Sequence, residues 1–117
     1  MDVFEMKFSK VFPLLIAKAV RKGRTEEDVF AVTEWLTGYS EEELRVLLSH
    51  DSATYGAFLD QAPCMNPARF KVKGKICGIR VEEIEDPRMR GLRILDKLVD
   101  DLAKGKPLDK ILPRGQT

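Results

Sequence analysis

Five basic residues between positions 69 and 80 carry the clearest chemical signal in this sequence. No acidic residue interrupts the set, which comprises Arg69, Lys71, Lys73, Lys75 and Arg80. The first four occupy every second position with Phe70, Val72 and Gly74 between them, and alternate residues of a strand point to opposite faces. The spacing therefore predicts one basic face on a short strand or hairpin, a surface that can contact an acidic protein or the phosphates of a nucleic acid.

The same pattern has two structural interpretations, and both remain open at this point. Lysines on an edge strand protect it from pairing with other strands. A basic face can also dock on the residues 25–62, which contain one basic and nine acidic residues. We predict that the five basic residues form a binding surface for an acidic protein or a second copy of the chain, with nucleic acid as an alternative partner.

A thiol-dependent enzyme is the alternative class of function. Cys77 lies between Ile76 and Gly78, and the neighbouring cations would lower the pKa of a thiol there. A catalytic Cys–His pair also needs hydrogen-bond contact and a third, orienting group. The single imidazole, His50, is expected to be a solvent-facing cap, and both Cys64 and Cys77 are expected to be small packing residues. We therefore predict no catalytic residue, with Cys77 as the one candidate nucleophile.

Metal and cofactor sites are not expected. One histidine and two cysteines are too few for an ordinary zinc site within the chain. Oxygen ligands for a divalent cation are available in the acidic cluster of Glu82, Glu83, Glu85 and Asp86. Asp86, however, has a structural explanation as the cap of the next helix, where its acidic neighbours favour the helix dipole.

Residues 26–48 have the order helix, turn, helix that a DNA-binding motif would show. The second helix of such a motif presents its N-terminal residues to the major groove. Here those residues are Glu41, Glu42 and Glu43, which repel phosphates. These charges argue against a helix-turn-helix DNA-binding function.

Capping residues and apolar periodicity predict mainly helical structure. Ser9 is a candidate N-cap with Pro13 in or near the first turn, and Gly23 suits the end of that helix. Thr25 and Ser40 are predicted to cap the next two helices, Gly38 to end the second, and a short fourth helix to lie near residues 53–61.

The second half of the chain is predicted to hold a hairpin and one long helix. The Lys73–Gly74 pair is a candidate hairpin turn, and Gly74 is alternatively a bulge in one strand. Asp86–Pro87 starts a helix over 87–104 that should pack across the N-terminal helices. A last short helix follows over 107–112, and the tail after it is expected to be loose. The fold class is thus mainly α, with five or six helices and a short strand or hairpin near residues 69–81.

Length and composition fit one cytoplasmic domain. The chain has 117 residues, of which 44% are hydrophobic and 33% charged, and its formal net charge is +1. We predict a single domain over 1–117 with an ordered core at about 8–112. The longest apolar run, 11–17, is too short to span a membrane, and Asp2 and Glu5 precede it where a signal peptide would be positive.

Several stretches resemble the small prokaryotic family known as domain of unknown function 2200. They are KGRTEEDV, WLTGYSEEEL, APCMNP, ICGIRVEEIEDPRMR and LDKLVDDLAKGKPLDKIL. The similarity runs from about Phe8 to Leu112, nearly the whole chain. It implies a compact intracellular domain of bacteria or archaea, and it implies no activity or functional residue.

Overall fold

The apolar periodicity of the sequence becomes six α-helices in the computed structural model, which describes residues 2–50 and 52–113. The helices are α1 (Phe8–Arg21), α2 (Glu26–Thr37), α3 (Glu41–Ser49), α4 (Tyr55–Asp60), α5 (Pro87–Ala103) and α6 (Leu108–Ile111). Two antiparallel strands, β1 (Lys75–Ile76) and β2 (Ile79–Arg80), form a hairpin. The predicted fold class, mainly helical with a short hairpin, is confirmed. The loose tail predicted after α6 falls largely on residues 114–117, which lie outside the described residues.

Local sequence signals set the starts of α2, α3 and α5 as predicted. Reciprocal capping boxes join Thr25 to Asp28 and Ser40 to Glu43, each satisfying backbone amides that the helix leaves unpaired. Asp86 caps α5, where its carboxylate accepts a hydrogen bond from the amide of Arg88. These caps fix where the helices begin and therefore which side chains they present.

The start of α1 differs from the prediction. The helix begins at Phe8 rather than after Ser9, and its cap, Lys7, makes no side-chain capping bond. The reason is tertiary, because the segment before α4 pairs with this end of α1. The amide of Phe8 donates to the carbonyl of Ala53 (2.9 Å), and the amide of Tyr55 donates to the carbonyl of Met6 (2.7 Å). Pro13 consequently lies inside the helix, in its second turn.

The basic segment is a strand only in its second half. Residues Pro67–Lys71 form a 3₁₀ helix, in which the Asn66 side chain accepts a hydrogen bond from the amide of Ala68 (2.9 Å). The prediction of a strand from residue 69 is therefore wrong, because an Asx cap followed by proline starts a helical turn. The hairpin turn is also displaced, to Cys77–Gly78, where both residues have positive φ (53° and 79°) as in a type I′ turn.

The core is an aromatic cluster between α1, α2 and α4, closed by α5. Its rings are Phe8, Phe12, Phe30, Tyr55 and Phe58, all of them buried. α5 lies against α1, α2 and α4 and also contacts the hairpin. The prediction that this helix packs across the N-terminal helices is confirmed, and the hairpin is held by the same helix. No helix of the described residues is both long and apolar enough to pass through a membrane.

An ion-pair network on α5 makes the stability of this packing depend on pH. Asp100 lies 3.1 Å from the ammonium of Lys18 on α1 and 2.9 Å from that of Lys104. Burial raises the pKa of Asp100, but hydrogen bonds to the two lysines outweigh it and leave the pKa below its ordinary value. Since the folded pKa is lowered, the charge stabilises the fold above the unfolded value of about 3.9. This stabilisation is lost as the pH falls through the folded pKa.

We expect Asp100→Asn to lower the free energy of unfolding at pH 7 by about 0.5–1 kcal/mol. The difference from the unmodified protein should shrink towards zero as the pH falls below the folded pKa, because both proteins then carry a neutral group there. Urea unfolding at a series of pH values measures the free energy of unfolding of the two proteins and how their difference changes with pH. Glu85→Gln, at an exposed residue before α5, is the control and should lower the free energy of unfolding by less than Asp100→Asn does. A difference that stays constant down to acid pH would contradict the ion-pair explanation.

Candidate functional site

The structure distributes the five predicted basic residues over three places. Arg69 lies in the 3₁₀ helix and contacts Phe70, whereas Lys71 and Lys73 line a pocket beside α5. Lys75 and Arg80 face each other across the hairpin as a pair of β1 and β2. The 3₁₀ helix is the cause, since it turns the chain where a strand would have kept the side chains in one row.

Three further lysines join Lys71 and Lys73 around this pocket, whose volume is about 260 Å³. We call it the lysine pocket, and its lining consists of Lys71, Val72, Lys73, Lys97, Asp101, Lys106, Lys110, Ile111 and Pro113. Sequence reasoning did not find the lysines at 97, 106 and 110. They lie on α5, on the segment after it and on α6, more than 20 residues along the chain from Lys71 and Lys73, and no local pattern links them to these two lysines.

The lysine pocket is strongly positive because its lining contains a single carboxylate. Asp101 pairs with the buried Lys97 at 2.8 Å and lies 3.6 Å from the ammonium of Lys106. Lys73 and Lys110 are exposed and have no ion pair with any carboxylate of residues 2–50 or 52–113. The Lys97–Asp101 pair is therefore neutral as a whole, and the ammonium groups of Lys73 and Lys110 beside it attract an anion.

Gly74 allows the loop of the basic segment to lie directly over Lys97. A Cβ atom at this position would come within 2.8 Å of the Lys97 side chain, and the backbone φ of 120° also favours glycine. The amide of Gly74 donates to the Glu82 carboxylate (3.0 Å), and its carbonyl accepts from the amide of Val81 (2.9 Å). These bonds hold Lys73 at the rim of the pocket, and the bond from the Gly74 amide lowers the pKa of Glu82.

The acidic cluster after the hairpin is engaged in structural contacts. Glu82 accepts the Gly74 amide and lies 3.5 Å from Arg80, and Asp86 caps α5. Within the described part of the chain, no three histidine, cysteine or acidic side chains converge as metal ligands would.

Both cysteines are exposed, which corrects the expectation that they are packing residues. Cys77 occupies the turn of the hairpin, a position that faces solvent, with its Sγ 3.8 Å from Nη1 of Arg93. His50, exposed as predicted, ends α3, and its Nδ1 lies 2.8 Å from the carbonyl of Val46. The contacts seen for this imidazole include neither cysteine, so the candidate nucleophile has a neighbouring cation but no base in contact with it.

A second pocket of about 250 Å³ lies where the 3₁₀ helix meets α4 and α5. We call it the arginine pocket, and its lining consists of Leu59, Asp60, Met65, Arg69, Pro87, Arg88 and Gly91. Arg69, predicted as part of the basic face, belongs to this pocket. The two pockets thus separate Arg69 from Lys71 and Lys73, whereas Lys75 and Arg80 on the hairpin are in neither lining.

The fold and these pockets define a small, mainly helical domain with two separate cationic pockets, each lined in part by its basic segment. The chain belongs to the family described as uncharacterized protein conserved in bacteria (DUF2200), which matches residues 2–113. The resemblance noted in the sequence is thereby confirmed. A crystal structure described as that of uncharacterized protein SP1917 is similar to this chain, with 50% sequence identity and a TM-score of 0.89. The similarity covers 96% of this chain and 93% of that one. A search of curated proteins found no match.

Proposed function

We propose that the protein is a binding module that recognises an acidic segment of a partner protein through the lysine pocket. One observation carries the proposal: five lysines from four parts of the chain surround a single carboxylate. Carboxylate side chains of a partner would neutralise the ammonium groups of Lys73 and Lys110, which form no ion pair within residues 2–50 and 52–113. Lys75, exposed on the adjoining hairpin, extends the same positive surface.

An acidic protein suits this surface better than a nucleic acid does. A nucleic-acid-binding domain usually carries a large excess of positive charge, whereas this chain has a net charge of +1. The hairpin also continues directly into Glu82 and Glu83, whose charges would repel a phosphate backbone running along it.

We expect Lys73→Glu to weaken the binding of a fluorescein-labelled hexaglutamate peptide by about tenfold, corresponding to ~1.4 kcal/mol. Lys73 is exposed at the pocket rim, so the fold should tolerate the substitution. Fluorescence anisotropy at low salt measures the affinity, and added sodium chloride should weaken it because the attraction is electrostatic. Lys10→Glu makes the same change of charge in the first turn of α1, outside the pocket, and should leave the affinity nearly unchanged.

Two results would reject this proposal. If Lys10→Glu weakens binding as much as Lys73→Glu, the peptide senses only the net charge of the protein. If a duplex DNA of similar charge binds more tightly than hexaglutamate and Lys73→Glu abolishes that binding, nucleic acid is the partner. Sedimentation of the protein alone tests for self-association. If the protein forms dimers and Lys73→Glu dissociates them, the partner is a second copy of the chain.

A further inference from the structure

Arg69, which lines the arginine pocket, shares an aromatic ring with a second arginine whose side chain is not part of the pocket lining. Two guanidinium groups lie on one aromatic ring, since the Arg69 and Arg90 Cζ atoms are 4.3 and 4.8 Å from the centroid of the Phe70 ring. The ring itself is 49% exposed. Cation–π contact compensates part of the cost of bringing two positive charges together. It does not remove their mutual repulsion.

Neither guanidinium is neutralised by a carboxylate of the described residues. Within residues 2–50 and 52–113, no carboxylate lies at ion-pair distance from Arg69 or Arg90. Arg69 donates one hydrogen bond, from Nη1 to the carbonyl of Asn66 (2.9 Å), and the buried Nε of Arg90 has no hydrogen-bond partner. Burial, followed by the charge of Arg90, lowers the pKa of Arg69. Two uncompensated cations held side by side create a positive potential that attracts an anion.

The third arginine of this region differs from these two in being paired. Arg88 donates to the Asp60 carboxylate at 2.9 Å, and its guanidinium lies 4.4 Å from the centroid of the Phe4 ring. The opening between Arg88 and Arg69 is walled by apolar side chains, Leu59, Met65 and Pro87. The pocket thus has an uncompensated charge at one side and an apolar wall beside it.

We propose that the arginine pocket binds a small organic carboxylate with an apolar body. The planar guanidinium of Arg69 matches a carboxylate with two parallel hydrogen bonds, and Arg90, stacked on the same ring, adds its positive charge. The apolar part of the ligand lies against Leu59 and Met65. A volume of about 250 Å³ is below the usual size for a drug-like ligand, which limits the occupant to a molecule about as large as a single-ring acid.

A carboxylate fits this pocket better than a phosphate ester because the cationic charge is small and the wall is largely apolar. The multiply charged lysine pocket is the better site for a polyanion. The proposal does not depend on the proposed function, since the two pockets share no lining residue. Binding at one of them can therefore fail while binding at the other succeeds.

Titration of the ¹⁵N-labelled protein with benzoate, followed by NMR at constant ionic strength, tests the proposal. We expect shifts at the amides of Met65, Arg69 and Gly91, and we expect Arg69→Gln to weaken binding at least about fivefold. Arg90→Gln is a second variant that should weaken it in the same direction. Arg21→Gln, at an exposed position at the end of α1 and outside both pocket linings, is the matched control and should leave benzoate binding unchanged. The spectra themselves report whether each variant is folded.

Neutral benzamide should bind at least about fivefold more weakly than benzoate, because it lacks the charge that the two arginines attract. Equal binding of the two compounds would overturn the proposal. Unchanged affinity for benzoate in both arginine variants would also overturn it, as would chemical-shift changes confined to the lysine pocket. The absence of any shift at about 20 mM benzoate would overturn it too, because the affinity would then be too weak for a specific site. Phenyl phosphate binding more tightly than benzoate at the same amides would overturn the assignment to carboxylates.

Discussion

Replacement of Phe8 by alanine should lower the free energy of unfolding by about 3–5 kcal/mol, the largest effect we expect of any single substitution. Phe8 is fully buried, and its ring centroid lies 4.8 Å from that of Phe12 and 4.6 Å from that of Phe58. Removing the ring leaves a cavity between α1 and α4 that the surrounding rings can fill only partly. Total stabilities of domains are about 5–15 kcal/mol, so the variant should be close to unfolding.

Leu14→Ala is the control for this substitution because it removes an apolar side chain from the same helix. Leu14 is 63% exposed, and its loss should cost less than about 0.5 kcal/mol. Urea or thermal unfolding followed by circular dichroism measures both variants. If Phe8→Ala and Leu14→Ala cost the same, α1 does not pack through the aromatic cluster.

Gly38→Ala should be the second most destabilising substitution, because two costs add at this position. The φ of Gly38 is 82°, and a left-handed conformation costs a residue with a Cβ about 1–2 kcal/mol. The added Cβ would also lie 2.9 Å from the backbone nitrogen of Cys64, and relief of such overpacking typically costs about 1–3 kcal/mol more. We therefore expect a total loss of roughly 3 kcal/mol.

Gly78→Ala separates the two costs. Its φ of 79° is nearly the same as that of Gly38, but a Cβ there would meet no atom within 4 Å. This control should show the conformational cost alone, about 1–2 kcal/mol. Equal losses in the two variants, measured by chemical unfolding, would mean that the segment at Cys64 yields easily to the added methyl group.

The close approach at Gly38 also matters for the candidate sites. The amides of Cys64 and Asn66 donate to the carbonyls of Thr37 (3.0 Å) and Leu36 (2.9 Å), so this segment satisfies carbonyls at the end of α2. Asn66 in turn caps the 3₁₀ helix that contains Arg69. A methyl group at residue 38 would therefore disturb the segment that positions the arginine pocket, and we expect Gly38→Ala to weaken benzoate binding even where the protein remains folded.

Local signals made the helices predictable, and their failures are equally informative. The capping pairs at Thr25 and Ser40 could be predicted from the sequence because a cap and its partner lie three residues apart. The start of α1 was not, because the backbone of Ala53, far along the chain, pairs with it. The alternation from residue 69 suggested a strand, but the Asn66 cap and Pro67 started a 3₁₀ helix, which a two-residue alternation does not reveal.

The sequence by itself determined the helical architecture, the presence of a hairpin and the concentration of positive charge near residues 69–80. Each of these depends on interactions between residues close in the chain, such as caps, turns and charge spacing. Only the tertiary structure decided that Lys71 and Lys73 line the same pocket as Lys97 of α5, and that Arg69 and Arg90 share the ring of Phe70. The physical reason is that a binding pocket is formed by side chains distant in sequence, whose approach is set by how the apolar faces of the helices pack together.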